Sequence, residues 1–236
     1  MKITIVYDNE IIKDTKIAKG LRAGWGFSCF IQTKDRNILL DTGWDGDILI
    51  SNMKKLGIDP QDINIEVISH SHWDHIGGIA KISSLNKNLK IYLPQSFSER
   101  LKREIKKRSE LHEINSISSK ICHQVYTTGE IEGSYLVGKT RIYIKEQSLL
   151  IFSKKGLVVI SGCAHSGVGK ILKSASEFGK VYALIGGLHD FEEYHLLKDI
   201  SLIVPTHCTI NKNKIIKLFP KKCLEGGVGF QHNFQE

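Results

Sequence analysis

Ser69-His70-Ser71-His72-Trp73-Asp74-His75-Ile76-Gly77-Gly78 is the stretch whose reading decides both the fold and the chemistry of this chain. It follows directly on Ile65-Glu66-Val67-Ile68, a short β-branched run that reads as a buried strand. Neutral imidazole nitrogens bind borderline metals well, and side chains two residues apart on extended backbone point to one side, so His70 and His72 can grip a single ion. Asp74 and His75 lie just beyond, where the chain turns toward a helix and can aim a carboxylate and a further imidazole at a second ion. Gly77-Gly78 permits a sharp turn and a close backbone approach. Three histidines and one aspartate within six residues are hard to read as unrelated surface groups. The absence of thiolates from the cluster argues against a closed structural site and for open coordination positions, which imply catalysis. The ions expected are one or two divalent metals, zinc first, with manganese or iron as alternatives.

Working outward, Phe27 to Thr33 and Asn37 to Leu40 read as strands around a Lys34-Asp35-Arg36 turn, and Leu49, Met53 and Leu56 recur at helical spacing before Gly57. Lys90 to Leu93 reads as a strand ending at Pro94, and residues 95–117 as a charged helix. A meander of antiparallel strands is expected over Tyr135 to Val137, Arg141 to Lys145, Leu149 to Ser153 and Leu157 to Ser161. Val168, Ile171, Leu172, Ala175 and Phe178 form one helical stripe, followed by a strand from Val181 to Ile185, another from Ser201 to Val204, and a helix over 211–219. Strands end repeatedly in histidine. The pattern points to two sheets packed face to face with helices outside and a site along one edge.

At this point His70-Ser71-His72-Trp73-Asp74-His75 resembles the His-x-His-x-Asp-His signature of the metallo-β-lactamase superfamily. Asp41-Thr42-Gly43 resembles the family's Asp-Thr-Gly turn, Gly162-Cys163-Ala164-His165 its third-ligand segment, and Pro205-Thr206-His207-Cys208-Thr209 its last. More narrowly, Gly162 to Gly167, Gly186-Gly187-Leu188-His189 and Pro205 to Thr209 resemble the subgroup named for a 7,8-dihydropterin-6-yl-methyl-4-(β-D-ribofuranosyl)aminobenzene 5'-phosphate synthase. The resemblance implies an α/β fold, a four-layer αββα sandwich in a single domain of 1–236, with two similar halves meeting near residue 118. It implies one ion on His70, His72 and His165 and a second on Asp74, His75 and His207. The family commonly places a bridging aspartate between the third and last histidines; here the corresponding stretch is Gly186-Gly187-Leu188-His189-Asp190, so His189 and Asp190 stand as candidates for an extra ligand or for substrate binding. Asp41 is expected to orient a ligating histidine from behind.

The function so implied is a metal-dependent hydrolase in which metal-activated hydroxide attacks a small anionic substrate, a phosphate ester or pterin-like molecule, with Asp74 orienting the water. The net charge of +8 agrees with an anionic partner without naming it. A nuclease of the same fold, or a non-catalytic metal- or ligand-binding protein, is the competing reading. Against nucleic acid, the basic run Lys102 to Arg108 has no interleaved aromatics and reads as the solvated face of a helix. Five scattered cysteines, without a Cys-x-x-Cys pair, indicate reduced thiols; Cys163 and Cys208, though near expected ligands, read as small buried hydrophobes. Trp25 and Trp73 read first as core residues, and His112, His123, His195 and His232 as ordinary imidazoles. No apolar run is of membrane length, and the opening Met1 to Asp8 alternates like a strand without the features of a signal peptide, so a cytoplasmic protein is expected, with a homodimer left open.

Overall fold

The computed structural model describes residues 1–235 and contains fifteen strands in chain order. The first six are β1 (Lys2–Tyr7), β2 (Ser28–Gln32), β3 (Asn37–Leu40), β4 (Ile65–Val67), β5 (Lys90–Pro94) and β6 (Glu110–Ile114). Then follow β7 (Ser119–Cys122), β8 (Val125–Thr127), β9 (Ile131–Val137), β10 (Thr140–Glu146), β11 (Leu149–Ser153), β12 (Gly156–Ser161), β13 (Val181–Gly187), β14 (Leu202–Thr206) and β15 (Gln231–Asn233). The helices are α1 (Thr15–Ala18), α2 (Gly46–Lys55), α3 (Trp73–Ile76), α4 (Ile79–Leu85), α5 (Glu99–Lys106), α6 (Val168–Ser176) and α7 (Lys212–Leu218).

Two large sheets result, one ordered β15-β1-β2-β3-β4-β5-β6 and the other β14-β13-β12-β11-β8-β7. Strand alternation explains how they pack. Ile3 and Ile5, Cys29 and Ile31, Ile38 and Leu40, and Ile65 and Val67 face inward and meet Leu149, Ile151, Val158, Ile160, Ala183 and Ile185 of the opposite sheet. The intervening Val6, Phe30, Leu39, Ile91 and Leu93 face outward onto α2, α4 and α5. On the other side Leu150, Val159, Leu184 and Ile203 meet Val168, Ile171 and Ala175 of α6 and Ile215 of α7. The layers are therefore helix, sheet, sheet, helix, the four-layer sandwich that the sequence implied.

Strands β3, β4, β5 and β6 are mutually parallel, as are β12, β13 and β14. Loops leaving their carboxyl ends gather at one edge, where ligands of α/β sheets characteristically bind. The first sheet draws its strands from the chain up to Ile114 and from β15, and the second starts at Ser119.

Three expectations need correction. Residues 95–117 are not one helix: Ser98 caps α5, which ends at Lys106, and β6 follows, pairing parallel with β5. As an edge strand of sequence Glu-Leu-His-Glu-Ile it has little alternation to reveal it. Lys102 is no part of a solvated face; it is buried with its ammonium between Glu99 and Glu113, at 2.8 Å from each. Finally, the meander is broken. β9 and β10 pair only with each other, whereas β11 pairs with β8 and β12, and β7, β8 and β15 carried no recognisable strand signal.

Candidate metal centre

Each candidate ligand sits just past a strand's carboxyl end. β4 leads to His70 and His72, the α3 turn carries Asp74 and His75, β12 leads to His165, and β14 to His207. Of the five non-glycine residues with positive φ among the described residues, four stand just past the carboxyl ends of β3, β12, β13 and β14: Asp41 (59°), Ala164 (59°), His189 (46°) and His207 (45°). Left-handed backbone is costly for such residues and persists where the surroundings over-determine it.

The structure brings all six predicted ligands together. Nε2 of His70 and Nε2 of His165 each lie 3.1 Å from Nδ1 of His72. Nε2 of His75 lies 3.2 Å from Nε2 of His207, and Oδ2 of Asp74 is 3.3 Å from the latter and 3.9 Å from the former. Nitrogen ligands about 2.0–2.1 Å from a tetrahedral zinc sit about 3.3 Å from one another, which is the spacing seen.

Hydrogen bonding behind the rings fixes which nitrogen faces inward. Oδ2 of Asp41 lies 2.7 Å from Nδ1 of His75 and accepts from the Ser69 hydroxyl, while its Oδ1 accepts from the Ser69 amide. A carboxylate only accepts, so His75 carries its proton on Nδ1 and turns a lone pair inward. Ser69 spends its hydroxyl proton on Asp41 and thus accepts from Nδ1 of His70, 2.8 Å away. Nδ1 of His207 faces Oδ1 of Asn9 at 3.0 Å; the Asn9 oxygen also accepts from the Gly26 amide, and its NH2 donates to the His207 carbonyl. Inward lone pairs on His75 and His207 at 3.2 Å would repel unless a cation lies between them. The donor set therefore fits two divalent ions, and Asp41 occupies the orienting position expected of it.

Electrostatics agree. Burial, then the neighbouring imidazoles, lowers the pKa of His70 well below its ordinary value and that of His165 to about 3. These rings are neutral, with lone pairs free to ligate. Burial would lift Asp74, but the His207 hydrogen bond and the two nearby imidazoles hold it at about 2. His207 is displaced upward: burial acts to lower it, and its bond to Asp74 outweighs that. A proton on its inward nitrogen meets the carboxylate just as a metal cation would.

His189 and Asp190 do not join either group of ligands. The His189 ring packs 4.6 Å from that of His165, its Nδ1 lies 3.3 Å from the Asp190 carboxylate, and the Asp190 side chain is 83% exposed. Trp25 and Trp73 are not core residues; each is about half exposed, Trp25 edge-on to His207 at 5.7 Å and Trp73 against the equally open Trp44 at 4.2 Å. Tyr135 of β9 approaches His72 at 4.8 Å, completing an aromatic rim. A cavity of about 900 Å³ among Arg36, Lys90, Tyr92 and His123 opens at the amino ends of β3, β4 and β5, away from these ligands. Chemistry rather than volume locates the site.

Sequence reasoning missed four members. Asp8 and Asn9 hold His207 by its amide and its ring, and nothing in their spacing signals this. Gln147 ties the sheets beneath the site, donating to the Ile68 carbonyl from its amide side chain and to Ser69 from its backbone. The fourth is Cys163, read from sequence as a packing residue, whose Sγ lies 3.2 Å from Nε2 of His75. It stands two residues before His165, the same spacing that relates His70 to His72.

A family model described as the metallo-β-lactamase superfamily matches residues 24–139. A 7,8-dihydropterin-6-methyl-4-(β-D-ribofuranosyl)-aminobenzene-5'-phosphate synthase of Methanocaldococcus jannaschii is 29% identical over 192 residues; the match spans 65% of this chain and 65% of that protein, just under two thirds of its length. A solved metal-dependent hydrolase of the β-lactamase superfamily superposes with a TM-score of 0.78 at 22% identity, over 100% of both chains. The metallo-β-lactamase fold protein YhfI of Bacillus subtilis gives 0.70 at 13% identity, over 98% of this chain and 99% of its own.

Proposed function

We propose that the chain is a metal-dependent hydrolase of small anionic molecules with a flat aromatic part, phosphate esters first, a reading supported by the metallo-β-lactamase family model over residues 24–139 and by the shared fold. One observation carries the reading: six ligand atoms converge in two groups at the spacing of tetrahedral coordination, with the tautomers of His70, His75 and His207 fixed from behind. Ions bound there would supply Lewis acidity and bring water to a pKa near about 7.

The chain's own residues do the rest. Asp74, ionised and bonded to His207, accepts a proton or hydrogen bond from water at the centre and turns it toward the substrate. Asp41 and Asn9 keep His75 and His207 in the ligating tautomer throughout. Trp25, Trp73 and Tyr135 offer faces and edges on which a planar ring stacks, and His189 stands beside His165 as a donor for an anionic group. Three lysines of the basic run, Lys102, Lys106 and Lys107, are engaged in ion pairs with Glu99, Glu104 and Glu113, which favours a small molecule over nucleic acid.

Elemental analysis joined to turnover of chromogenic phosphomonoesters, phosphodiesters, carboxylic esters and lactams tests this. At least one bound zinc, manganese or iron and hydrolysis abolished by chelator are expected; metal-loaded protein inert on every member of the panel would overturn the hydrolase reading. The synthase name of the archaeal relative favours a second reading, group transfer at the same centre. Inertness on the panel, with binding of a phosphorylated pterin, would select it.

A further inference from the structure

Sγ of Cys163 is the one sulfur that falls, among the described residues, within 4.8 Å of the ligand atoms of two histidine pairs, His70 with His165 and His75 with His207. These pairs belong to the two different ions of the proposed centre, so the sulfur lies between them. Its separation from Nε2 of His75 is 3.2 Å, and a thiolate at about 2.3 Å and an imidazole nitrogen at about 2.0–2.1 Å on one tetrahedral zinc lie about 3.5 Å apart. A hydrogen bond from the thiol accounts for one of the approaches to this nitrogen and leaves the others unexplained. Nε2 of His75 has one lone pair, and it is faced at once by this sulfur, by the His207 nitrogen at 3.2 Å and by the Asp74 oxygen at 3.9 Å. The residue is 2% exposed, in a loop where Ala164 takes left-handed backbone, so the sulfur is held inward rather than turned to solvent.

Its neighbour Cys208 differs. That sulfur is directed at the Cys163 carbonyl, 3.7 Å away, and joins neither histidine pair. At the place where a bridging carboxylate was sought along β13, the chain has Leu188, which is buried in the helix-side core and offers no ligand atom.

We propose that Cys163 is a metal ligand whose thiolate is shared between the two ions, giving the centre a bridging sulfur. Binding breaks the S–H bond, the thiol proton leaves to solvent, and the sulfur lone pairs form the bonds to metal. The proposal rests on the two-ion reading of the site. A soft donor between the ions biases the centre toward zinc or ferrous iron over magnesium or calcium.

Cobalt(II) substitution tests it without reference to turnover. Wild-type protein loaded with cobalt is expected to take up two equivalents and show a near-ultraviolet sulfur-to-cobalt charge-transfer band. Cys163→Ser is expected to lose the band and Cys208→Ala to keep it. Zinc X-ray absorption on wild-type protein needs no variant to fold, and is expected to show a sulfur shell at about 2.3 Å. Two bound ions with no sulfur shell, or a band lost in Cys208→Ala and kept in Cys163→Ser, would overturn the thiolate while leaving the hydrolase reading intact. Wild-type protein that takes up no metal would overturn both.

Discussion

At the scale of single residues, the ligand assignment divides the histidines cleanly. His72→Ala is expected to lose at least one metal equivalent by elemental analysis, because Nδ1 of His72 faces two other ligand nitrogens. His112→Ala is expected to change nothing, since that ring stacks on Tyr92 at 4.4 Å and bonds to Glu110. Asp41→Asn, which keeps the shape but loses the acceptor that orients His75, is expected to weaken zinc binding about 10–100-fold in a competition titration. Glu66 concerns stability. Fully buried between Leu39 and Ile91, its two oxygens have no partner, and burial pushes its pKa up to about 8. Between about pH 4.5 and pH 8 the unfolded chain releases a proton that the folded chain keeps, so stability falls as pH rises, by several kcal/mol at about 1.4 kcal/mol per unit. Glu66→Met is therefore expected to be more stable than wild type at pH 8, with the gap narrowing toward pH 4.5 in denaturant melts; a gap independent of pH would contradict this. The His-x-His-x-Asp-His run was legible because its spacing is chemistry in itself. Cys163 and Asn9 were not, since a lone cysteine is most often packing and an asparagine after a strand is most often a turn.

At the scale of elements, the α3 turn depends on room rather than on unusual backbone. Gly77 has φ −62° and Gly78 −88°, ordinary helical values, yet a Cβ on Gly77 would run into the Trp44 carbonyl. Gly77→Ala is accordingly expected to destabilise the fold by about 1–3 kcal/mol and to lower metal occupancy together, as measured by melting and by elemental analysis. Gly162 plays the matching part opposite, where a Cβ would meet Ser69 and the Asp41 carboxylate. Strands such as β2, β3 and β12 were plain in the sequence because burial on both faces writes a short, nearly continuous apolar run. β6, β7 and β15 were hidden, being short strands at sheet edges whose residues are largely open to water.

On the scale of the whole molecule, the ligands are divided between the sheets: residues 70 to 75 follow the first, and His165 and His207 follow the second. Bound metal therefore ties the two layers across their shared edge, and the unfolded chain offers no comparable set. Chelation is expected to lower the melting temperature by roughly 5–10 °C at metal concentrations near 100 times the dissociation constant, a shift that calorimetry before and after re-addition of zinc would check. No helix among the described residues is long and apolar enough to cross a membrane. The hairpin of β9 and β10 stands apart from this framework, pairing with neither large sheet while placing Tyr135 against the centre and Leu136, Val137 and Tyr143 in the open. Such a flap can be lengthened, trimmed or rewritten without breaking a ladder of either sheet. Its hold on the centre is nonetheless direct, because the Ser134 amide donates to the His165 carbonyl and Glu146 accepts from Ser166, so a change in this ribbon is felt by the ligand loop as well as by the rim.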